Sequence, residues 1–348
     1  MPPFKSIFGG SGPRRVEIVP GNRIFDVKSG QTVLESALKL GIAYPHDCTV
    51  GTCGTCRTKL KSGRVAAITP FGYTLSKDEL DAGFILACQA LPKSDLVIEV
   101  ELASTGSIAA VAQTATVART DDLTHDIKRV TWRVAQPLGW RAGQYVNVRW
   151  NGGSEHRSYS FADAPSRDGA TEISTFMRHV PGGAFTDLVF TGDPTAATFE
   201  IDGPHGNFWL REGIGPILCI AGGSGLAPII SLLQDAANRR VRRDCLLLFG
   251  ARGERDLYAE RELAAVRNAW TAAFDFWPVL SVDQAEEYRG GVVTDHVAAA
   301  LERLGGGVHA YMCGPPPMID AAIHSLTGHG IAIEDIHYDK FTDASTRA

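Results

Sequence analysis

Short alternations of apolar and polar positions, with little helical spacing, mark the N-terminal part of the chain. Residues 16–19 and 24–27 predict two strands, joined by the turn composition Pro20-Gly21-Asn22. Residues 33–40 predict a helix, because Thr32 and Glu35 have capping-box spacing and Gly41 supplies a C-terminal stop. Further short strands are predicted at 57–60, 64–68 and 96–101, and the small, weakly patterned stretch 103–113 predicts a linker. From 114 to 211 strand signals dominate, with alternation over 145–150 and 158–161 and turn residues between segments. That is the pattern of an antiparallel barrel or sandwich. After 213 the pattern changes. Apolar runs at 217–221 and 245–249 alternate with helical stretches at 228–238 and 261–269, the signature of βαβ units around a buried parallel sheet. The apolar stretch 214–233 is long enough to span a bilayer, but a glycine turn and Pro228 break it. It predicts a buried strand, a turn and a helix beginning at the proline.

These patterns divide the chain into an α+β domain over 14–103, a linker over 104–112, an antiparallel β-barrel domain over 113–212 and an α/β parallel-sheet domain over 213–348. The length agrees, since 348 residues exceed one ordinary domain. An apolar fraction of 44% against 21% charged lets each domain bury a core. A net charge of −5 and the lack of a polybasic run argue against nucleic acid or an anionic lipid surface as partners. The N-terminus lacks a charged segment followed by an apolar one, so a soluble, cytoplasmic protein is expected, with room for peripheral contact with a membrane partner.

Four of the seven cysteines lie within the first 88 residues of the chain. Cys48, Cys53 and Cys56 have C-x4-C-x2-C spacing and Cys88 follows later, which is the plant-type [2Fe–2S] pattern. Three thiolates on one short loop can wrap a small cluster only if the loop turns tightly. Gly51 and Gly54 permit that turn and let amide N–H groups approach sulfur. A zinc site would favour a second cysteine pair, and a disulfide framework would favour a secretion signal. Neither is present in the sequence.

In the middle domain, Arg157-Ser158-Tyr159-Ser160 offers an arginine for a pyrophosphate, an aromatic face and a hydroxyl suited to a flavin ring nitrogen. Gly182 and Gly183 add amides for phosphate and Thr186 a further hydroxyl. By itself the four-residue set also suits an ordinary polar strand edge. In the last domain, Gly222-Gly223-Ser224-Gly225 lies between strand and helix, where its amides suit a pyrophosphate or simply permit tight packing. Pro228 replaces the last glycine of the regular dinucleotide fingerprint. Cys313-Gly314-Pro315-Pro316 closes a later apolar run, where Cys313 is either a ligand-border residue or a buried structural thiol. The ten histidines are scattered and form no convincing metal set.

Taken in order, these motifs resemble the reductase components of bacterial multicomponent oxygenases, most nearly those of xylene- or cymene-type hydrocarbon monooxygenases. The resemblance covers about residues 14–345. It implies a β-grasp ferredoxin domain, an FAD-binding barrel and an NAD-binding α/β domain, with FAD, a [2Fe–2S] cluster and NADH as cofactors. It further implies that Cys48, Cys53, Cys56 and Cys88 hold the cluster, and that Arg157, Ser158, Tyr159 and Ser160 bind flavin, with Gly182, Gly183 and Thr186 near its phosphates. Gly222, Gly223, Ser224 and Gly225 would approach the NAD pyrophosphate. Cys313 and Gly314 would border the nicotinamide, and Phe341 would lie over the flavin face, so Cys313, Ser160 and Phe341 form the expected catalytic set. The implied partner is an oxygenase component, membrane-bound in some arrangements, and the implied state is a monomer. The run 250–256 carries both signs of charge, which leaves nucleotide choice to the family's usual NADH. Two other readings stay open: the same modules serving a sugar-deoxygenation enzyme or another acceptor, and a redox-sensing protein without turnover.

Overall fold

The computed structural model describes residues 12–46, 48–102, 108–150, 156–283 and 286–341. Asp47 and residues 103–107 of the expected linker lie outside them. Two compact units follow one another, residues 1–107 and 108–348.

The first unit contains β1 (Arg14–Val19), β2 (Arg23–Val27), α1 (Val33–Lys39), β3 (Arg57–Ser62), β4 (Val65–Ala67), α2 (Lys77–Asp81), β5 (Phe84–Leu86), β6 (Ala90–Pro92) and β7 (Leu96–Glu99). Five strands form one mixed sheet in the order β2-β1-β7-β3-β5, with β1 parallel to β7 and the other pairs antiparallel. Alternation puts Val16, Ile18, Phe25 and Val27 inside, where α1 lays Val33, Leu34 and Ala37 on the same core. This is the α+β, β-grasp arrangement. Only half of the expected capping box forms on α1. Thr32 accepts from the Glu35 N–H at 3.1 Å, but the Glu35 carboxylate turns to Lys39 at 2.6 Å. The complete box is on α2, between Ser76 and Glu79.

The second unit begins with β8 (Val111–Asp122), inside the stretch expected as linker. It continues with β9 (Ile127–Leu138), β10 (Tyr145–Trp150), β11 (His156–Ser160), β12 (Ala170–Arg178), α3 (Ala184–Thr191) and β13 (Thr198–His205). The strands form a curled antiparallel half-barrel in the order β11-β10-β13-β8-β9-β12. Its two edges approach at the bridge Phe161–Thr175, where the Ala162 N–H also donates to the Ser174 carbonyl at 2.8 Å. The remainder is β14 (Ile217–Gly222), α4 (Leu226–Asn238), β15 (Cys245–Ala251), α5 (Glu260–Ala269), β16 (Phe274–Leu280), β17 (Arg289–Gly290), α6 (Val297–Leu304), β18 (His309–Gly314), α7 (Pro316–Gly328) and β19 (Ile336–Lys340). All these strands are parallel, in the order β17-β16-β15-β14-β18-β19. The order reverses between β14 and β18, so their carboxyl ends border the crevice where open α/β sheets bind ligands. α4 starts at Leu226, two residues before Pro228, because the glycine turn leads straight into the helix and the proline fits within the first turn. Among the described residues, no helix is long and apolar enough to cross a membrane.

Candidate functional site

The cysteine loop runs between α1 and β3 and turns through left-handed backbone at Thr49 (φ 56°), Gly51 (φ 90°) and Gly54 (φ 76°). That path brings the Thr52 and Cys53 amides to Cys48 Sγ, each at 3.3 Å, while the Cys88 amide donates to Cys56 Sγ at 3.5 Å. The four thiols meet as two hydrogen-bonded pairs, Cys48 with Cys53 and Cys56 with Cys88, and charge on Cys48 is felt at Cys88. Bonds from the Cys53 thiol and from the Thr52 and Cys53 amides hold the Cys48 thiol down to about 4. Cys88 is held low in the same way by Cys56. Among the described residues, the set of three ligating atoms drawn within 4.8 Å of one another is His125, Asp126 and Asp256, not a cysteine triplet. Two sulfur pairs lined with amide donors fit two irons better than one four-coordinate ion. Cys56 and Cys88 are buried whereas Cys48 and Cys53 are half-buried, so one pair faces the surface.

Two supports of this loop carry no sequence motif for clusters. Gln89, 6% exposed, donates to the Cys88 carbonyl at 3.1 Å and reaches Cys88 Sγ at 3.7 Å. A Cβ on Gly51 would lie 2.8 Å from the Gln89 side chain, so glycine is needed there as much for packing as for φ. Arg57, next to Cys56, forms a 2.7 Å ion pair with the fully buried Glu79. The Ser76-x-x-Glu79 spacing was the available signal for that second residue.

On the half-barrel, β11 presents the Arg157–Ser160 run. Arg157 is exposed and donates to the His156 carbonyl at 3.0 Å, and the Ser158 hydroxyl donates to Asn147 Oδ1 at 2.7 Å. Tyr159 stacks on Phe185 with ring centres 5.8 Å apart, so one face of its ring is already covered. Ser160 is buried opposite Tyr145 in the ladder. Gly182 is in left-handed conformation with open space where a Cβ would be, and the start of α3 has no side-chain cap. The Gly183 N–H, expected to meet phosphate, instead donates to the Val180 carbonyl at 2.9 Å, so the amides left for a phosphate are those of the uncapped first turn of α3. The Thr186 hydroxyl is engaged differently from the expectation. It donates to the Val180 carbonyl at 2.9 Å and accepts the Val180 N–H at 3.2 Å, fixing the glycine loop from behind.

The dinucleotide turn repeats the device. Gly223 has φ 55° and open space around it, Ser224 is half-buried, and the start of α4 lacks a side-chain cap. A Cβ at Gly225 would collide with the Cys313 main chain, and one at Gly222 would meet Met318 Sδ at 2.6 Å. The structure therefore brings the two motifs of this domain together, with Ala221 paired to Cys313 in the ladder. The Phe341 N–H donates to the Gly314 carbonyl at 2.9 Å, placing Phe341 beside the end of β18. Cys313 is fully buried. Burial, with the Asp339 charge added, keeps its thiol protonated far above the ordinary range, which excludes it as a nucleophile. Tyr258, unmarked by any motif, donates to the Gly223 carbonyl at 2.8 Å and holds the turn open.

The flavin-type and nucleotide-type motifs are joined at short range. The chain leaving β11 passes through Asp163 and Ala164. The buried Ser231 hydroxyl of α4 donates to the Asp163 carbonyl at 2.6 Å, and Gln234 Oε1 accepts the Ala164 N–H at 3.1 Å. Arg129 and Glu262 add an ion pair at 2.5 Å between β9 and α5.

Three family models match this chain: a 2Fe-2S iron-sulfur cluster binding domain over residues 16–93, an oxidoreductase FAD-binding domain over 114–209 and an oxidoreductase NAD-binding domain over 219–324. The xylene/toluene monooxygenase electron transfer component of Pseudomonas putida is 41% identical, covering 91% of this chain and 90% of its own length. The reductase subunit of an aromatic O-demethylase of Amycolatopsis is 37% identical over 93% of this chain and 98% of its own. Among solved structures, a ferredoxin reductase in carbazole 1,9a-dioxygenase superposes with a TM-score of 0.65 at 28% identity, covering 95% of this chain and 98% of that one.

Proposed function

The chain belongs to the reductase components of oxygenases that join a [2Fe–2S] ferredoxin domain to FAD- and NAD-binding domains, and from that premise we propose which of its residues do the work and for whom. The protein is an oxidoreductase that takes electrons from a reduced nicotinamide nucleotide and delivers them singly, through the iron–sulfur loop, to an oxygenase component. The bound flavin supplies the exchange between a two-electron hydride donor and a one-electron acceptor.

Arg157 and the uncapped first turn of α3, approached past the open Gly182, would hold the flavin phosphates; Tyr159 and the Ser158 and Ser160 hydroxyls would line the ring. Thr186 acts one step back, by fixing the loop that presents those amides. Gly222 to Gly225 receive the nucleotide pyrophosphate on the start of α4. Cys313, Gly314 and Phe341 form the wall beside the nicotinamide, with the protonated Cys313 giving shape rather than charge. Cys48, Cys53, Cys56 and Cys88 hold the cluster, and the half-buried Cys48–Cys53 pair is the side from which electrons leave. The face around 49–55 is therefore the contact for the oxygenase.

The observation that carries this reading is the bolt between α4 and the end of β11, Ser231 to Asp163 and Gln234 to Ala164, because hydride transfer needs donor and acceptor rings held in fixed register. The names of the relatives favour an aromatic-hydrocarbon-oxidising system as the one served. The three cysteines outside the cluster loop, Cys219, Cys245 and Cys313, are buried and unbridged, which favours a reducing, cytoplasmic compartment. The test is a Cys48→Ser variant assayed with NADH. Reduction of a small dye, which draws on the flavin, should persist, and reduction of a protein acceptor should fall to background. Wild-type rates with the protein acceptor would overturn the cluster assignment.

A further inference from the structure

The strand β15 ends in a run of mixed charge, Arg252-Gly253-Glu254-Arg255-Asp256, which the sequence alone leaves ambiguous between a ribose hydroxyl and a 2′-phosphate. The structure sorts these charges. Arg252 Nη2 lies 3.3 Å from Asp126 Oδ2, a carboxylate of the half-barrel, and Arg252 Nε lies 3.8 Å from Asp256 Oδ2. Asp256 Oδ2 also accepts the Gly253 N–H at 3.0 Å, and Asp283 Oδ2 accepts the Glu254 N–H at 3.0 Å. The Arg252 guanidinium and two successive amides are thus each already on a carboxylate, while the exposed Arg255 lies outside this network. Gly253 makes this possible, since a Cβ there would collide with the Asp283 carboxylate.

Asp126 is built to stay charged. Burial pushes its carboxyl up, but the Arg178 guanidinium, at 3.1 Å, and the Thr124 hydroxyl outweigh burial and hold it below the usual range. With 19% of its side chain exposed, its charge is also screened less by water and salt than that of a surface carboxylate.

Position supplies the meaning. β15 is the neighbour of β14, whose end carries the glycine turn, while β18 lies on the other side. A dinucleotide resting on that turn with its nicotinamide toward β18 extends its adenosine toward β15. A 2′-phosphate would there meet Asp126, Glu254, Asp256 and Asp283 with Arg252 already committed; a ribose hydroxyl adds no charge and can donate to a carboxylate. We infer that Asp126, by holding Arg252 from the opposite domain, is a positioning residue that makes the enzyme choose NADH over NADPH. The inference rests on the nucleotide site proposed above and deepens it.

The experiment uses the flavin- and cluster-loaded full chain and dye reduction, comparing kcat/KM for NADH and NADPH. The wild type should favour NADH. Asp126→Asn should lower that preference by about tenfold, carried by the KM for NADPH rather than by kcat, because a freed arginine can meet the phosphate. Adding Arg252→Ala should restore the preference, Asp126→Glu should retain it, and Arg255→Ala, outside this network, should leave it alone. Should Asp126→Asn not fold, competition on the wild type decides: 5′-ADP should bind more tightly than 2′,5′-ADP. An unchanged preference in a well-folded Asp126→Asn, a gain that survives Arg252→Ala, equal binding of the two competitors, or equal use of both nucleotides by the wild type would each overturn the inference. If neither nucleotide reduces the flavin, the nucleotide site itself falls and takes the inference with it.

Discussion

A Cβ at Gly225 would run into the main-chain carbonyl of Cys313, and backbone cannot step aside as a flexible side chain can. Gly225→Ala should therefore push α4 off the end of β18 and raise the KM for NADH by about tenfold or more, since small misplacements at a binding turn are costly. Gly182→Ala is a different case: the space is open and only the left-handed backbone resists, at about 1 kcal/mol. That variant should keep its flavin, as absorbance per chain would report; flavin loss at Gly182 with none of the KM effect at Gly225 would invert the account. The cysteines, both glycine turns and the Arg157–Ser160 run were all legible in the sequence, because their chemistry demands fixed residue types at fixed spacing. Gln89, Tyr258 and Asp163 were not. They act through contacts made by distant segments, and an amide or a phenol in an apolar context has no periodicity of its own.

Among the elements, the helices show where local sequence decides and where packing does. Thr32-x-x-Glu35 and Ser76-x-x-Glu79 have the same spacing, yet only the second closes a full box, because Lys39 competes for Glu35 whereas Arg57 and Ser76 together enclose Glu79. Glu79→Ala leaves Arg57 without its buried partner beside Cys56. It should cost about 3 kcal/mol, read as earlier thermal bleaching of the cluster absorbance. No change in that bleaching temperature would mean that the pair does not support the cluster loop. The preference of proline for helix starts predicts α4 from Pro228, but the preceding glycine turn already has helical direction, so the helix begins two residues earlier. The same helix carries Ser231. Ser231→Ala removes a bond worth about 1 kcal/mol and should slow NADH-driven flavin reduction in stopped flow while altering the melting temperature little. An equal rate would show that α4 and the β11 end keep register without it.

At the scale of the whole molecule, three architectures occupy one chain, and each answers one chemical requirement. A parallel sheet with a topological switch receives the nucleotide, a curled half-barrel presents the flavin-type strand, and a small mixed sheet carries the four cysteines. The shift from alternating strands to βαβ units near residue 213 exposed this division in the sequence. The way β11 and β12 approach each other did not appear there, because curl arises from strand twist rather than from pattern. In the proposed function, two-electron entry and one-electron exit are connected inside this chain. An anaerobic titration of the loaded protein with NADH, followed by visible absorbance, tests it most directly. The account predicts uptake of about three electrons per chain, two by the flavin and one by the cluster, with both sets of bands bleaching. An endpoint at about two electrons, with the iron–sulfur bands intact, would contradict it.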